Sequence, residues 1–202
     1  MNTLPVWPMR PLLKQNDGQP ITTIEQWQAK AKEIRARFLA TLGPRPESQR
    51  LHGFTIGASV VEDRVRRTLV TAKVDENDFM ECWLLEPADA SIKPKPGAIL
   101  ALHQTCTEGK DEPAGIQGEP QYAYAKELAH RGWTVLVPDN FALQNRYAAG
   151  IRSYDTAKLY DRFPQWSAVG KLVADAQMAV DLMEQLPQTA TKPISVIGHS
   201  LG

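Results

Sequence analysis

The sequence predicts an α/β protein with a mixed, mostly parallel sheet that carries helices on both faces. Residues 97–102 are continuously apolar, as is typical of a strand buried on both faces in a parallel sheet, and residues 134–137 predict another buried strand. Residues 194–197 form a third apolar run, and helical patterns near residues 125 and 177 separate the three runs. Alternating strands and helices imply right-handed crossovers, which make the strands parallel and cover both faces of the sheet.

An antiparallel hairpin is expected before the parallel strands. The pattern between Phe54 and Pro87 is that of strands, with β-branched and apolar residues in 66–74 and a rough alternation in 79–85. The polar segment 75–78 supplies the turn between them. Two such segments around a short turn indicate antiparallel pairing.

Residues 1–50 are expected to form an irregular arm followed by an amphipathic helix. Thr23 can cap a helix that runs to about Leu42, where Gly43 and Pro44 stop it. Apolar residues recur along it at spacings of three and four, which favours packing on the outside of a domain. A helix that binds a partner is the alternative.

Two further helices and one long connection are predicted in the second half of the chain. Pro120 can open a helix that continues to about His130, and Ser167 can cap a helix that continues to Leu186. Residues 140–166 show weak periodicity and many polar and aromatic side chains. A connection of this length is usually a binding loop, a lid or an excursion with a short helix.

The composition of the 202 residues excludes several classes of partner. Lys plus Arg and Asp plus Glu each number 23, so the formal net charge is zero, and neither nucleic acid nor an anionic membrane surface is expected as a partner. No apolar run approaches the roughly 20 residues of a membrane span, and residues 1–11 lack the apolar core of a signal peptide. Cys82 and Cys106 are expected to be free thiols, which favours a cytoplasmic protein. These features do not predict the oligomeric state.

Residues 198–202 read Gly-His-Ser-Leu-Gly, a G-x-S-x-G pattern that directly follows the apolar run 194–197. A strand that ends in this pattern is the first part of a nucleophile elbow, which holds a serine on a sharp turn. The two glycines allow close backbone approach where a Cβ would clash. The pattern therefore predicts the α/β-hydrolase fold, with Ser200 as the nucleophile.

A serine hydroxyl needs a histidine to take its proton and a carboxylate to orient that histidine. In this fold class both follow the serine in sequence, and each histidine of this chain is better explained by its local position: His52, His103, His130 and His199. We therefore expect the chain to be the N-terminal part of a hydrolase, truncated after the elbow and inactive as given. The strand before Ser200 would then be an apolar sheet edge that favours aggregation.

Two backbone amides are expected to form an oxyanion hole. One belongs to the residue after the nucleophile, Leu201, and the other to the loop that follows the apolar run 97–102. In that loop the donor is Thr105 or Gln104, and His103 would brace the loop without taking part in the chemistry. An ordinary strand-to-helix loop is the alternative.

Four segments resemble bacterial α/β-hydrolases of the dienelactone hydrolase and acetyl-xylan-esterase-like group: 102–115, 128–139, 179–183 and 198–202. The resemblance covers about residues 95–202 and identifies 51–202 as the N-terminal part of an α/β-hydrolase domain. It implies a serine esterase that cleaves a small-molecule carboxylic ester through an acyl-enzyme on Ser200, with no metal or organic cofactor. Dienelactone hydrolase itself uses a cysteine, and Ser200 favours chemistry of the esterase kind.

Several alternatives remain open from the sequence. A peptidase of the prolyl-oligopeptidase type usually carries a propeller domain, and no blade repeats are seen here; a binding protein on the same fold would not need the elbow. The charged run 110–112 is either a motif of the resembled group or an exposed charged loop. Asp139 either lines the cleft or caps a turn, and Arg146 with the tyrosines of 147–160 could contact substrate.

Overall fold

The computed structural model describes residues 11–142, 146 and 154–202, so the first ten residues of the predicted arm lie outside the described part. The chain divides into two units, Met1–Gly43 and Pro44–Gly202. The first unit contains α1 (Ile24–Leu42), which begins with a capping box. The Thr23 hydroxyl accepts from the Gln26 amide at 3.3 Å, and the Gln26 side-chain oxygen accepts from the Thr23 amide at 3.2 Å. The predicted helix and its cap are confirmed.

A mixed six-stranded sheet organises the second unit. Its strands, in chain order, are β1 (Gly53–Glu62), β2 (Val65–Asp75), β3 (Asp78–Pro87), β4 (Ala98–Leu102), β5 (Thr134–Pro138) and β6 (Ile194–Gly198). The spatial order is β1-β2-β3-β5-β4-β6. The pairs β1–β2, β2–β3 and β3–β5 are antiparallel, whereas β5–β4 and β4–β6 are parallel. The predicted hairpin is β2–β3, and β1 is a further antiparallel strand that the sequence pattern did not separate from it.

Helices cover both faces of this sheet, as predicted. One face packs on α2 (Tyr124–His130), through a cluster that includes Leu85, Ile99, Ala125, Ala129 and Val135. The other face packs on α4 (Ala168–Met183), through a cluster that includes Leu84, Leu100, Leu136, Met178 and Leu182. Neighbouring strand residues thus enter opposite cores, because side chains alternate across a strand.

The helix ends follow local signals with small departures from prediction. The Ser167 hydroxyl accepts from the Gly170 amide at 3.0 Å and caps α4, which ends at Met183, three residues before the predicted end. The chain after Pro120 begins with a 3-10 turn before α2. A short helix, α3 (Ala157–Arg162), lies in the long connection. None of the helices in the described ranges has the length and apolar character that crossing a lipid bilayer requires.

The register of the parallel strands brings two chain segments to one edge of the sheet. Leu102, the last residue of β4, pairs with Gly198, the last residue of β6. The loop after β4 therefore lies beside the turn after β6. Among the described strands β6 ends the sheet order, and its Val196 and Ile197 side chains are 60% and 40% exposed, which is the apolar edge expected from the sequence.

Candidate active site

The turn after β6 has the strained backbone of a nucleophile elbow. Ser200 has a φ of +53°, in the left-handed region that residues other than glycine rarely adopt. The Gly202 amide donates to the His199 carbonyl at 3.0 Å and closes the turn. A residue held in this way costs on the order of 1–3 kcal/mol, and such residues cluster at functional sites. Ser200 is exposed, so its hydroxyl is accessible to a substrate.

Both glycines of the elbow are required by close backbone approach. A Cβ on Gly198 would lie 2.0 Å from the carbonyl oxygen of Gly202, and a Cβ on Gly202 would lie 2.1 Å from that of Leu102. Contacts this short are impossible between non-bonded atoms, so any side chain would displace the turn. The predicted reason for the two glycines is confirmed.

The backbone amides of Gln104, Thr105 and Leu201, at this edge of the sheet, have no acceptor within the described part of the chain. The amide of the next residue, Cys106, donates instead to the Tyr154 hydroxyl at 3.0 Å. Thr105 is exposed, whereas Gln104 is buried and its side-chain amide donates to Glu112. Unpaired amides are what an oxyanion hole needs, and both Gln104 and Thr105 remain candidates for its second donor.

His103 connects the loop after β4 with the loop after β5. Its side chain is buried, Nδ1 donates to the Gln104 carbonyl at 2.7 Å, and Nε2 accepts from the Asn140 amide at 3.2 Å. Burial lowers the pKa of His103 below its usual value, which favours the neutral ring that this pair of bonds requires. With both nitrogens occupied, the imidazole is unsuited to serve as a general base.

The protonation of His103 predicts a specific loss of stability in acid. Because its pKa is lowered in the folded protein, the unfolded chain takes up this proton first, as the pH falls below about 6.5. We expect the stability advantage of the wild type over His103→Gln to be full at pH 8 and to shrink as the pH falls from about 6.5 toward the lowered pKa. Urea unfolding at several pH values measures it, with His52→Gln as the control for loss of a histidine. An advantage that grows on acidification contradicts the interpretation.

None of the four histidines, all within the described residues, hydrogen-bonds to Ser200. The ring of His52 contacts the Ser48 carbonyl at 2.9 Å, and that of His130 contacts the Asp63 carbonyl at 2.7 Å. The ring of His199 stacks on Tyr122 with centroids 5.3 Å apart. A base for Ser200 is therefore not supplied by these side chains in their observed positions.

A buried ion pair holds the loop after β4 to the end of β5. The Lys110 ammonium lies 3.0 Å from Oδ2 of Asp139, and the Lys110 amide donates to Oδ1 at 2.7 Å. Burial disfavours the charge on Lys110, but Asp139 more than offsets this and raises its pKa. Lys110 and Glu112 are only 6% and 4% exposed, so the exposed-charged-loop alternative is wrong for both. Asp139 is itself buried and is the partner of Lys110, a role that the sequence did not reveal.

Asp78, Arg146, Lys171 and Asp175 form a buried charge cluster, to which the long connection contributes Arg146. Arg146 contacts Asp175 at 2.7 Å and Asp78 at 2.8 Å, and Lys171 contacts each of these carboxylates at 2.7 Å. Arg146 is thus engaged by the protein, and the expectation that it could contact substrate is not supported. Tyr147, which was considered with it, lies outside the described residues.

One group in the described part of the chain has the spacing of metal ligands: Cys106, Glu108 and Glu112, whose ligand atoms lie within 4.8 Å of one another. Burial raises the pKa of Cys106 to about 12, so the thiol is protonated at neutral pH in the metal-free protein. Cys82 is buried, and both cysteines are free thiols, as predicted.

Comparison with known proteins establishes the fold. No protein-family model matches the chain, and no curated protein sequence does. A Bacteroides fragilis protein provisionally assigned as an acetyl xylan esterase matches with 19% identity and a TM-score of 0.69, over 88% of this chain and 48% of its own. A glucuronoyl esterase from Solibacter usitatus matches with 18% identity and a TM-score of 0.65, over 97% of this chain and 58% of its own.

A promiscuous CE15 esterase from a marine bacterial metagenome matches with 18% identity and a TM-score of 0.62, over 98% of this chain and 58% of its own. The chain has the α/β-hydrolase fold, in agreement with the prediction, and its structural neighbours include carbohydrate esterases of this fold. It spans about half the length of the solved structures that it matches.

Proposed function

We propose that the protein is a serine esterase that cleaves a carboxylic ester through an acyl-enzyme on Ser200. The observation that carries the proposal is the left-handed φ of Ser200, in a turn whose two glycines cannot bear a Cβ. A protein gains nothing in stability from this strain. An exposed serine at that position is the arrangement that an acyl-transfer nucleophile requires.

In the proposed reaction the Ser200 hydroxyl attacks the ester carbonyl. The Leu201 amide and one amide of the loop after β4 donate to the negative oxygen of the tetrahedral intermediate. The alcohol leaves, and water then hydrolyses the acyl-enzyme. The hydroxyl proton needs a histidine and a carboxylate that the described residues do not place beside Ser200, so we expect the 202 residues by themselves to be inactive.

The proposed substrate is a small-molecule ester, and the names of the structural neighbours favour an ester carried by a carbohydrate. The chemistry uses no metal or organic cofactor. Within the described residues, no contact favours the peptidase alternative. A binding protein on this fold would have no use for the strained serine, which argues against the second alternative.

Labelling by a fluorophosphonate tests the proposal. The experiment uses the intact protein, by which we mean the protein in its natural full length. We expect one label on the peptide that contains Ser200, located by mass spectrometry, and turnover of p-nitrophenyl acetate. Release of acetate from acetylated xylan and of the alcohol from alkyl glucuronates then separates the two classes of carbohydrate ester. An intact protein that takes no label and hydrolyses none of these substrates would overturn the proposal.

The second oxyanion donor can be assigned with a pair of substitutions at Thr105. Thr105→Pro removes the backbone donor, and we expect it to lower kcat by roughly 10²–10³ if this amide faces the oxyanion. Thr105→Ala removes only an exposed side chain, so its kcat should stay within about twofold of the wild type. Steady-state rates per labelled active site, measured for both variants, decide whether Thr105 or Gln104 is the second donor. A wild-type kcat in Thr105→Pro would contradict this assignment and leave Gln104 as the donor.

A further inference from the structure

The Tyr154 side chain reaches from the long connection to the loop after β4. Its hydroxyl accepts from the Cys106 amide at 3.0 Å and lies 2.9 Å from the Cys106 carbonyl, to which it can donate. The Gln104 carbonyl lies further away, at 3.5 Å. One hydroxyl therefore occupies both backbone groups of the residue that directly follows Thr105.

The Tyr154 backbone is held in an unfavourable conformation to make these contacts. Its φ is +65°, in the left-handed region where a bulky residue is strained and persists only because the surrounding structure holds it there. The Tyr154 amide donates to the Ala142 carbonyl at 2.6 Å and fixes the chain at this point. Burial also raises the pKa of Tyr154, so its hydroxyl keeps the proton that it donates at neutral and mildly alkaline pH.

We propose that Tyr154 is a positioning residue for the oxyanion hole, an inference that rests on the proposed esterase function. By occupying the Cys106 peptide groups, the hydroxyl sets the direction of the adjoining backbone. The Gln104 and Thr105 amides are then left without acceptors in the described structure and are free to meet the substrate oxygen. A donor that is already oriented stabilises the transition state without a cost of reorganisation.

Among the described residues, three attachments hold this loop to the chain that follows β5, and they act at different points. His103 bonds to Asn140, and Lys110 pairs with Asp139. These contacts lie at the first residue of the loop, His103, and seven residues further on, at Lys110. The Tyr154 contact is made at Cys106, next to Thr105 and two residues from Gln104. Loss of this hydroxyl should therefore disturb the donors more than it disturbs the fold.

The test is Tyr154→Phe in the intact protein, with Tyr160→Phe as the matched control. The Tyr160 hydroxyl also accepts from a backbone amide, that of Ala168 at 3.2 Å, but Tyr160 lies in α3 and, within the described residues, does not hydrogen-bond to the loop. For p-nitrophenyl acetate we expect kcat per fluorophosphonate-labelled site to fall by about tenfold in Tyr154→Phe, less than the loss of a donor itself. KM should change by less than about twofold, since the interaction acts in the transition state. Tyr160→Phe should keep the wild-type kcat.

A trifluoromethyl ketone that forms a hemiketal with the serine gives an independent readout. Its affinity should weaken in Tyr154→Phe by the same factor as kcat/KM, which a purely structural role would not produce. If the phenylalanine variant does not fold, 4-methylphenylalanine and 4-aminophenylalanine at position 154 replace it, because only the second restores a hydrogen-bonding group. Wild-type kcat and inhibitor affinity without the hydroxyl would overturn the inference while labelling at Ser200 still supports the esterase. Absence of labelling in the wild type would overturn the proposed function instead.

Discussion

Ser200→Ala is expected to lower the kcat of the intact protein for p-nitrophenyl acetate by at least about 10⁴-fold. The change removes the oxygen that would form the acyl-enzyme. The oxyanion donors and the binding surface stay in place, so a small residual rate above that of water is expected. Labelling by a fluorophosphonate should disappear with the activity. Initial rates over a range of enzyme concentrations measure the first effect, and intact-mass spectrometry measures the second.

Ser195→Ala is the matched control for this experiment. Ser195 is an exposed serine in β6, five residues before Ser200, and it pairs with Ile99 in the sheet. The same atom is removed, from a serine of the strand that leads into the elbow, so rate, labelling and unfolding temperature should all stay at wild-type levels. A Ser200→Ala protein that keeps the wild-type rate would show that another group carries the reaction.

Arg146→Met is expected to lower the free energy of unfolding by about 3–5 kcal/mol. Burial opposes the Arg146 charge, but the carboxylates of Asp175 and Asp78 outweigh it and hold its pKa above the usual value. Without the guanidinium, these two carboxylates would share Lys171 alone. An unpaired buried charge destabilises the folded state by more than the loss of a surface ion pair does. Chemical denaturation, monitored by tryptophan fluorescence, measures the loss.

Arg131→Met provides the comparison, because it removes the same side chain from an exposed pair. Arg131 lies 2.8 Å from Glu127, one helical turn away, and the two side chains are 68% and 57% exposed. Such pairs contribute roughly 0–1 kcal/mol, so little change is expected. Equal effects at the two positions would mean that the buried charge cluster does not support the fold.

The regular elements were predictable because their signals are local. The capping residue Thr23 precedes an apolar repeat, Ser167 does the same for α4, and the runs that became β4, β5 and β6 are short and apolar. β1 was not separated from its neighbours, since most of its residues are exposed on both faces and alternation is absent. The end of α4 was predicted three residues late, because an apolar stripe does not indicate where the backbone hydrogen bonds of the helix end.

The charged and aromatic contacts were not predictable from the sequence pattern. Lys110 and Asp139 are 29 residues apart, and Arg146 and Asp78 are 68 apart. Each appears in the sequence as a polar residue of a connection, the usual mark of an exposed side chain. Only the Lys110 segment carried any signal, through its resemblance to a known group. The sequence indicated Tyr154 only as one of several tyrosines that could contact substrate, since its role depends on a left-handed backbone and on a partner 48 residues away.

The sequence by itself determined the class of fold and the position of the candidate nucleophile. The period of the hydrophobic residues and the two glycines around Ser200 are properties of residues that are neighbours in the sequence. They allow few alternative folds. Only the tertiary structure decided which amides beside Ser200 are left without acceptors, and which side chains hold them there. Those properties depend on the register between β4 and β6 and on contacts between loops that are distant in sequence. Burying a charge or a hydroxyl has a free-energy cost, and that cost is offset only when the hydrogen-bonding or charged partner is in place.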